Sequence, residues 1–92
     1  MKQVTIIGIG LIGGSFALDL KQHLPGVSVS GIDQNEAHLN TALKLGIIDQ
    51  VGAFDQLKKA DLVVVAIPVN AAIRVLPEVL DLIADHTVVI DM

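Results

Sequence analysis

The sequence predicts an α/β fold, a parallel sheet with helices on both faces. Three observations carry this: short β-branched runs alternate with helical patterns, the connections are brief, and the composition is aliphatic rather than aromatic. Hydrophobic residues make up 52% of the chain and only two residues, both Phe, are aromatic, which suits strands buried on both sides. At 92 residues there is room for one core, and so for one domain.

Gln3 to Ile7 reads as a buried first strand that ends in glycine. From Leu11 to about Gln22 the period becomes helical, with Ile12, Phe16 and Leu20 on one face, and Pro25-Gly26 stops the helix. Val27, Val29 and Ile32 mark a second strand. Asn35 to Leu45 forms a second helix with Leu39, Ala42 and Leu43 on its stripe and Gly46 as C-cap. A very short edge strand is expected near Val51, followed by one helical turn capped by Asp55. Leu62 to Ile67 is an aliphatic strand closed by Pro68, which cannot donate to a ladder. Asn70 to Ala84 is helical through Ile73, Leu76, Leu80 and Ile83, with a kink or a split expected at Pro77. Thr87 to Ile90 is a fifth strand. Right-handed crossovers then give the order 3-2-1-4-5, with a topological switch beside strand one, where such sheets bind ligands at their carboxyl edge.

The chemistry concentrates at that edge. Gly8, Gly10 and Gly13 form G-x-G-x-x-G between the first strand and the first helix. Gly8 permits the tight turn, Gly10 lets a pyrophosphate approach the backbone, and Gly13 lets the helix lie close to the strand. The unpaired amides and dipole of the helix N-terminus favour the anion. Twenty residues after Gly13, Asp33 ends the second strand, where a carboxylate accepts both hydroxyls of an adenosine ribose. Glycines alone would mark only a turn; glycines, helix and acid together make a Rossmann-type dinucleotide site. An acid at this position repels a 2′-phosphate, and Gln34 and Asn35 supply no cation for one, so NAD is favoured over NADP. Ile67, Pro68, Val69 and Asn70 leave the fourth strand at the same edge, with Asn70 equally suited to cap the helix that follows.

Other residue types exclude more than they suggest. The net charge is −4 and Lys58-Lys59 is the one pair of adjacent cations, so no nucleic-acid partner is expected. The absence of cysteine removes disulfides, thiolate metal sites and a cysteine nucleophile. Lys2 and the uncharged run Val4 to Leu18 imitate a secretory leader, but the regular glycines and the helical face continuing through Asp19 and Lys21 argue against one. No stretch has the length of a membrane span, so a soluble, cytoplasmic chain is expected. Arg74 is assigned to a solvated helix face, and His23, His38 and His86 to the surface, without metal spacing or an evident acid partner. No catalytic acid or base, and no metal ligand, is identified.

With those residues in view, the sequence resembles the prephenate and arogenate dehydrogenases. The resemblance lies in Leu11-Ile12-Gly13-Gly14-Ser15, in Ala42 to Gln50, in Ala60 to Val69 and in Thr87 to Met92, and covers essentially the whole chain. It implies the cofactor half of an enzyme that oxidises a cyclohexadienol by hydride transfer to NAD or NADP. For prephenate, loss of carbon dioxide then gives 4-hydroxyphenylpyruvate, on the route to tyrosine. It implies Gly8, Gly10, Leu11, Ile12 and Gly13 at the pyrophosphate, Asp33 at the ribose, and Ile67, Pro68 and Val69 flanking the nicotinamide. The family's catalytic histidine and its helical dimerisation domain belong after Met92, so the sheet is expected to be truncated after strand five. The isolated chain is expected to bind NAD without turning over prephenate, and the full-length enzyme to be a homodimer. Two alternatives share the same cofactor half: a nucleotide-sensing regulatory domain of the potassium-channel type, and an arogenate or other β-hydroxyacid or imine dehydrogenase.

Overall fold

The computed structural model describes residues 2–92. In chain order it contains β1 (Gln3–Ile7), α1 (Leu11–His23), β2 (Ser28–Ile32), α2 (Glu36–Lys44), β3 (Gln50–Val51), a 3-10 helix (Phe54–Lys59), β4 (Leu62–Val65), α3 (Val69–Leu82) and β5 (Val88–Asp91). All four strand pairings are parallel and the order is β3-β2-β1-β4-β5, the Rossmann arrangement expected from the sequence.

The buried residues form two clusters, one on each face of the sheet, where the chain's length suggested a single core, because residue alternation along the strands sends side chains to both faces. Val4 and Ile6 of β1 and Leu62 and Val64 of β4 point to the side covered by α1 and α2, where Ala17, Leu39 and Ala42 meet them. Ile7, Val63 and Val65 point the other way, onto Leu57 of the 3-10 helix and Ala72 and Val79 of α3. Burial on both faces explains the uninterrupted aliphatic runs. The register brings the carboxyl ends level: Ile7 lies opposite Ile32 on one side and Val65 on the other, and Val65 lies opposite Asp91.

Several local expectations are corrected. On α1, Ile12 is exposed, and the helix instead buries Gly13, Gly14 and Ala17, with Phe16 and Leu20 half-buried. The close approach at Gly13 turns the helix so that its smallest residues meet the sheet. On α2, Leu43 is exposed, while Ile48 beyond the helix fills the core in its place. Asp55 does not cap the 3-10 helix; Ala53 precedes it and Asp55 lies in the first turn. β4 ends at Val65 rather than Ile67, although the Ala66 amide still donates to the Ile7 carbonyl at 2.8 Å. α3 begins at Val69 behind Pro68, so Asn70 is inside the helix and caps nothing. Its buried stripe is Ala72 and Val79, flanked by half-buried Val75, Leu76 and Ile83, whereas Ile73 and Leu80 face outward. The helix runs through Pro77, which is exposed, without splitting.

Candidate functional site

The turn after β1 is shaped by steric demands that can be read individually. Gly8 has φ +101°, a region that side chains rarely occupy, and a Cβ there would run into the Ala66 carbonyl and lie 2.7 Å from Ile67 Cγ2. A Cβ on Gly13 would collide with the Gly8 carbonyl oxygen and crowd Ile6. Gly10 is different. It is exposed and nothing lies within 4 Å of the place its Cβ would take, so the protein's own packing does not require a glycine there. Its missing side chain keeps open the space in front of α1. Gly10 is also the N-cap residue; no side chain caps the helix and no acid stands in its first turn. The first intrahelical bond found there is Gly14 N–H to the Gly10 carbonyl at 2.9 Å, which leaves the amides of Leu11, Ile12 and Gly13 for an outside acceptor. Open space before uncapped amides at a dipole's positive end is suited to an anion.

Asp33, one residue past β2, is bound into this turn. Its Oδ2 accepts from the Ile9 amide at 2.8 Å and its Oδ1 from the Asn35 amide at 2.8 Å. Ile9 comes within reach because its side chain is buried over Gly31 of β2, where a Cβ would lie 2.9 Å from Ile9 Cγ1. Burial pushes the Asp33 carboxyl up, but the Asn35 and Ile9 amides and the His38 ring outweigh it and hold the group below the usual carboxylate range. At neutral pH the side chain is therefore an anion, mostly shielded but open on the cleft side.

A cleft of about 670 Å³ opens at the carboxyl edge where the strand order reverses. Gly8, Asp33, Ile67 and Pro68 are brought together in its wall. Gly10, Leu11, Ile12 and Gly13 stand beside it at the mouth of α1, with Leu11 86% exposed. Val69 is outside the wall and 76% exposed. Sequence reasoning missed the far side of the cleft: Phe54, and then Ala71, Arg74, Val75 and Glu78 along one face of α3. The signal is present in their spacing of three and four, but the sequence assigns site roles only as far as Val69 and Asn70, and past them it marks an apolar stripe and places Arg74 on the solvated face. Arg74 is exposed, as expected, yet it projects from the helix face that borders the cleft. Two histidines also have acid partners that spacing did not reveal: His38 Nδ1 lies 3.3 Å from Asp33 Oδ2, and His86 Nε2 lies 3.3 Å from Asp61 Oδ1.

Comparison with known proteins adds the family. The profile for the prephenate dehydrogenase nucleotide-binding domain matches residues 16–92. The chain belongs to this family. The matched segment begins after the glycine turn, so the family assignment and the geometry of the turn are independent observations. A prephenate dehydrogenase from Bacillus subtilis is 37% identical over 95% of the chain, and a cyclohexadienyl dehydrogenase from Zymomonas mobilis is 40% identical over 76% of it. The chain spans about a quarter of the length of these curated relatives, 24% and 25% respectively. Among solved structures, prephenate dehydrogenase from Aquifex aeolicus in complex with hydroxyphenyl propionate and NAD+ superposes with a TM-score of 0.88 and 28% identity. That superposition covers 99% of this chain and 33% of that one. The prephenate dehydrogenase family thus supplies the name of the domain, and the open turn, the anchored aspartate and the cleft lie together at the carboxyl edge of its sheet.

Proposed function

We propose that this chain seats NAD, in preference to NADP, as the cofactor-binding part of a dehydrogenase acting on prephenate. The observation that carries the proposal is Asp33: an ionised carboxylate at the end of β2, fixed to the glycine turn through the Ile9 amide and facing the cleft. The amides of Leu11, Ile12 and Gly13, with the open side of Gly10, take the pyrophosphate. Asp33 accepts the adenosine ribose hydroxyls, and its charge works against a 2′-phosphate in the same place. Phe54 and Val75 give the cleft apolar walls suited to the adenine ring. Ile67, Pro68 and Val69, where the chain leaves β4, border the dinucleotide on its nicotinamide-ribose side.

When bound, the nicotinamide ring supplies the hydride acceptor for oxidation of the cyclohexadienol. This chain's residues bind and orient it; the proposal assigns none of them to the substrate or to proton transfer. A broader substrate range, with arogenate beside prephenate, is the second reading, favoured by the 40% identity to a cyclohexadienyl dehydrogenase. Rates with each substrate on the full-length protein separate the two.

Calorimetric titration with NAD and NADP tests the cofactor assignment. NAD is expected to bind more tightly, and Asp33→Asn to weaken NAD by about 10- to 100-fold, the usual cost of losing hydrogen bonds to a charged group, while narrowing the gap to NADP. Tighter binding of NADP by the unaltered protein would refute the role given to Asp33.

A further inference from the structure

Counting acceptors around Asp33 exposes a competition. An ionised carboxylate offers about four lone-pair positions, two on each oxygen. Oδ2 already serves the Ile9 amide at 2.8 Å and the His38 ring at 3.3 Å, and Oδ1 serves the Asn35 amide at 2.8 Å. One position is free, whereas a ribose presents two hydroxyls. The two backbone bonds are short and held by the chain. The His38 bond is the longest of the three, and the side chain that makes it is 49% exposed in the first turns of α2. His38 is the partner that can give way.

The state of the ring decides how readily it does so. A carboxylate only accepts, so the proton on Nδ1 is the one shared with Asp33, and Nε2 is the remaining nitrogen. In the neutral ring Nε2 is a lone pair, which a 2′-phosphate would meet acceptor to acceptor. In the protonated ring it becomes a donor, and the whole ring becomes a cation paired with Asp33. The local charge of Asp33 and His38 together then changes from −1 to 0.

We propose that His38 is a proton-controlled selector of the dinucleotide at the adenosine ribose. Neutral, it yields Asp33 to the hydroxyls of NAD. Protonated, it keeps Asp33 and offers Nε2–H to a 2′-phosphate, so NAD loses affinity and NADP gains relative to it. The proposal rests on the reading of Asp33 as the ribose acceptor. Few other charges act on the ring. Asp33 faces it from the end of β2, Glu36 is the nearest acid on its own helix, and Gly8 to Gly13 contribute no titratable group. Lys21 of α1 and Asp49, the residue just before β3, are paired with each other.

The test is calorimetry on the purified protein with NAD and with NADP at pH 8, 7, 6 and 5.5, repeated on His38→Ala, His38→Gln and Asp33→Asn. NAD itself has no group titrating in this window, so its profile is the cleaner reading. The 2′-phosphate of NADP titrates near pH 6, so only the difference between unaltered and variant protein is read for NADP. Unaltered protein should lose about 2- to 5-fold in NAD affinity between pH 8 and 5.5, the scale of a partly exposed charge pair. Both His38 variants should lose that dependence, and His38→Ala should bind NAD more tightly than unaltered protein at pH 5.5. If Asp33→Asn weakens NAD but the His38 variants keep the unaltered pH profile, the selector is wrong and the ribose reading stands. If Asp33→Asn leaves NAD binding unchanged, both fall.

Discussion

Gly8 and Gly10 belong to one motif, in which the sequence already gives them separate roles, and what a Cβ would meet at each differs accordingly. Gly8 is required by the fold: its φ of +101° and the Ala66 carbonyl beside it would both oppose a Cβ. Gly10 has nothing within 4 Å of the place its Cβ would take, so packing within the protein does not require it, whereas the proposed pyrophosphate site would. Gly8→Ala should therefore cost about 1–3 kcal/mol of stability through backbone strain. Gly10→Ala should leave stability within about 0.5 kcal/mol, as for other exposed substitutions, and reduce dinucleotide affinity by at least about tenfold. Chemical denaturation and calorimetry on the two variants check this, and equal stability losses would contradict the distinction. The motif and Asp33 were legible from spacing. The Ile9 to Asp33 and His38 to Asp33 bonds were not, because they depend on how Gly31 admits Ile9 and on the angle at which α2 leaves β2.

Among the elements, three aspartates tie neighbouring segments together through backbone amides. Asp33 holds the glycine turn to the end of β2. Asp49 accepts from the Val29 amide of β2 at 2.8 Å and pairs with Lys21 of α1. Asp61 accepts from the Lys2 and Gln3 amides at 2.8 and 2.9 Å, fixing the start of β1 beside β4. All three carboxyls are held below their ordinary value. For Asp33 and Asp49 burial opposes that and hydrogen bonds overcome it; for Asp61 the Gln3 and Lys2 amides lead. A lowered folded-state value means that the stabilisation is present above the unfolded value near 4 and is lost as pH falls through the folded one. Asp49→Asn should accordingly lower the melting temperature at pH 7, by the equivalent of about 1 kcal/mol or less for this partly exposed group, and have progressively less effect as pH falls below about 4. An undiminished loss at low pH would show that Asp49 acts through shape and not charge. The elements themselves were well marked by the chain, β1 most of all, since a β-branched run met a glycine. Helix faces were harder. α3 carries a polar stripe at Asn70, Arg74, Glu78 and Asp81, but its apolar residues spread over the rest of its surface, and the larger Ile73 and Leu80 drew the assignment away from Ala72 and Val79. Small residues win the sheet-facing side because they let the helix approach closely.

The molecule as a whole is a sheet with a core on each face and its strands' carboxyl ends level along one edge. That levelling is what gathers residues from three distant segments, Gly8 after β1, Asp33 after β2, and Pro68 with Arg74 at and within α3, around one cleft. Strand order was predictable because parallel crossovers admit few topologies. The cleft's α3 wall was not, because it depends on the rotation of a helix about its axis. Among the described residues no helix is long and apolar enough to cross a membrane. The chain matches about a quarter of its curated relatives and a third of the Aquifex aeolicus enzyme, and residues 16–92 match the family's nucleotide-binding domain. The central claim is that this edge seats a dinucleotide on the uncapped end of α1 and on Asp33. An amide-resolved NMR titration of the labelled protein with NAD tests it most directly. The largest shifts are expected at the amides of Ile9, Gly10, Leu11, Ile12 and Gly13; saturation with NAD that leaves these five amides unmoved would contradict it.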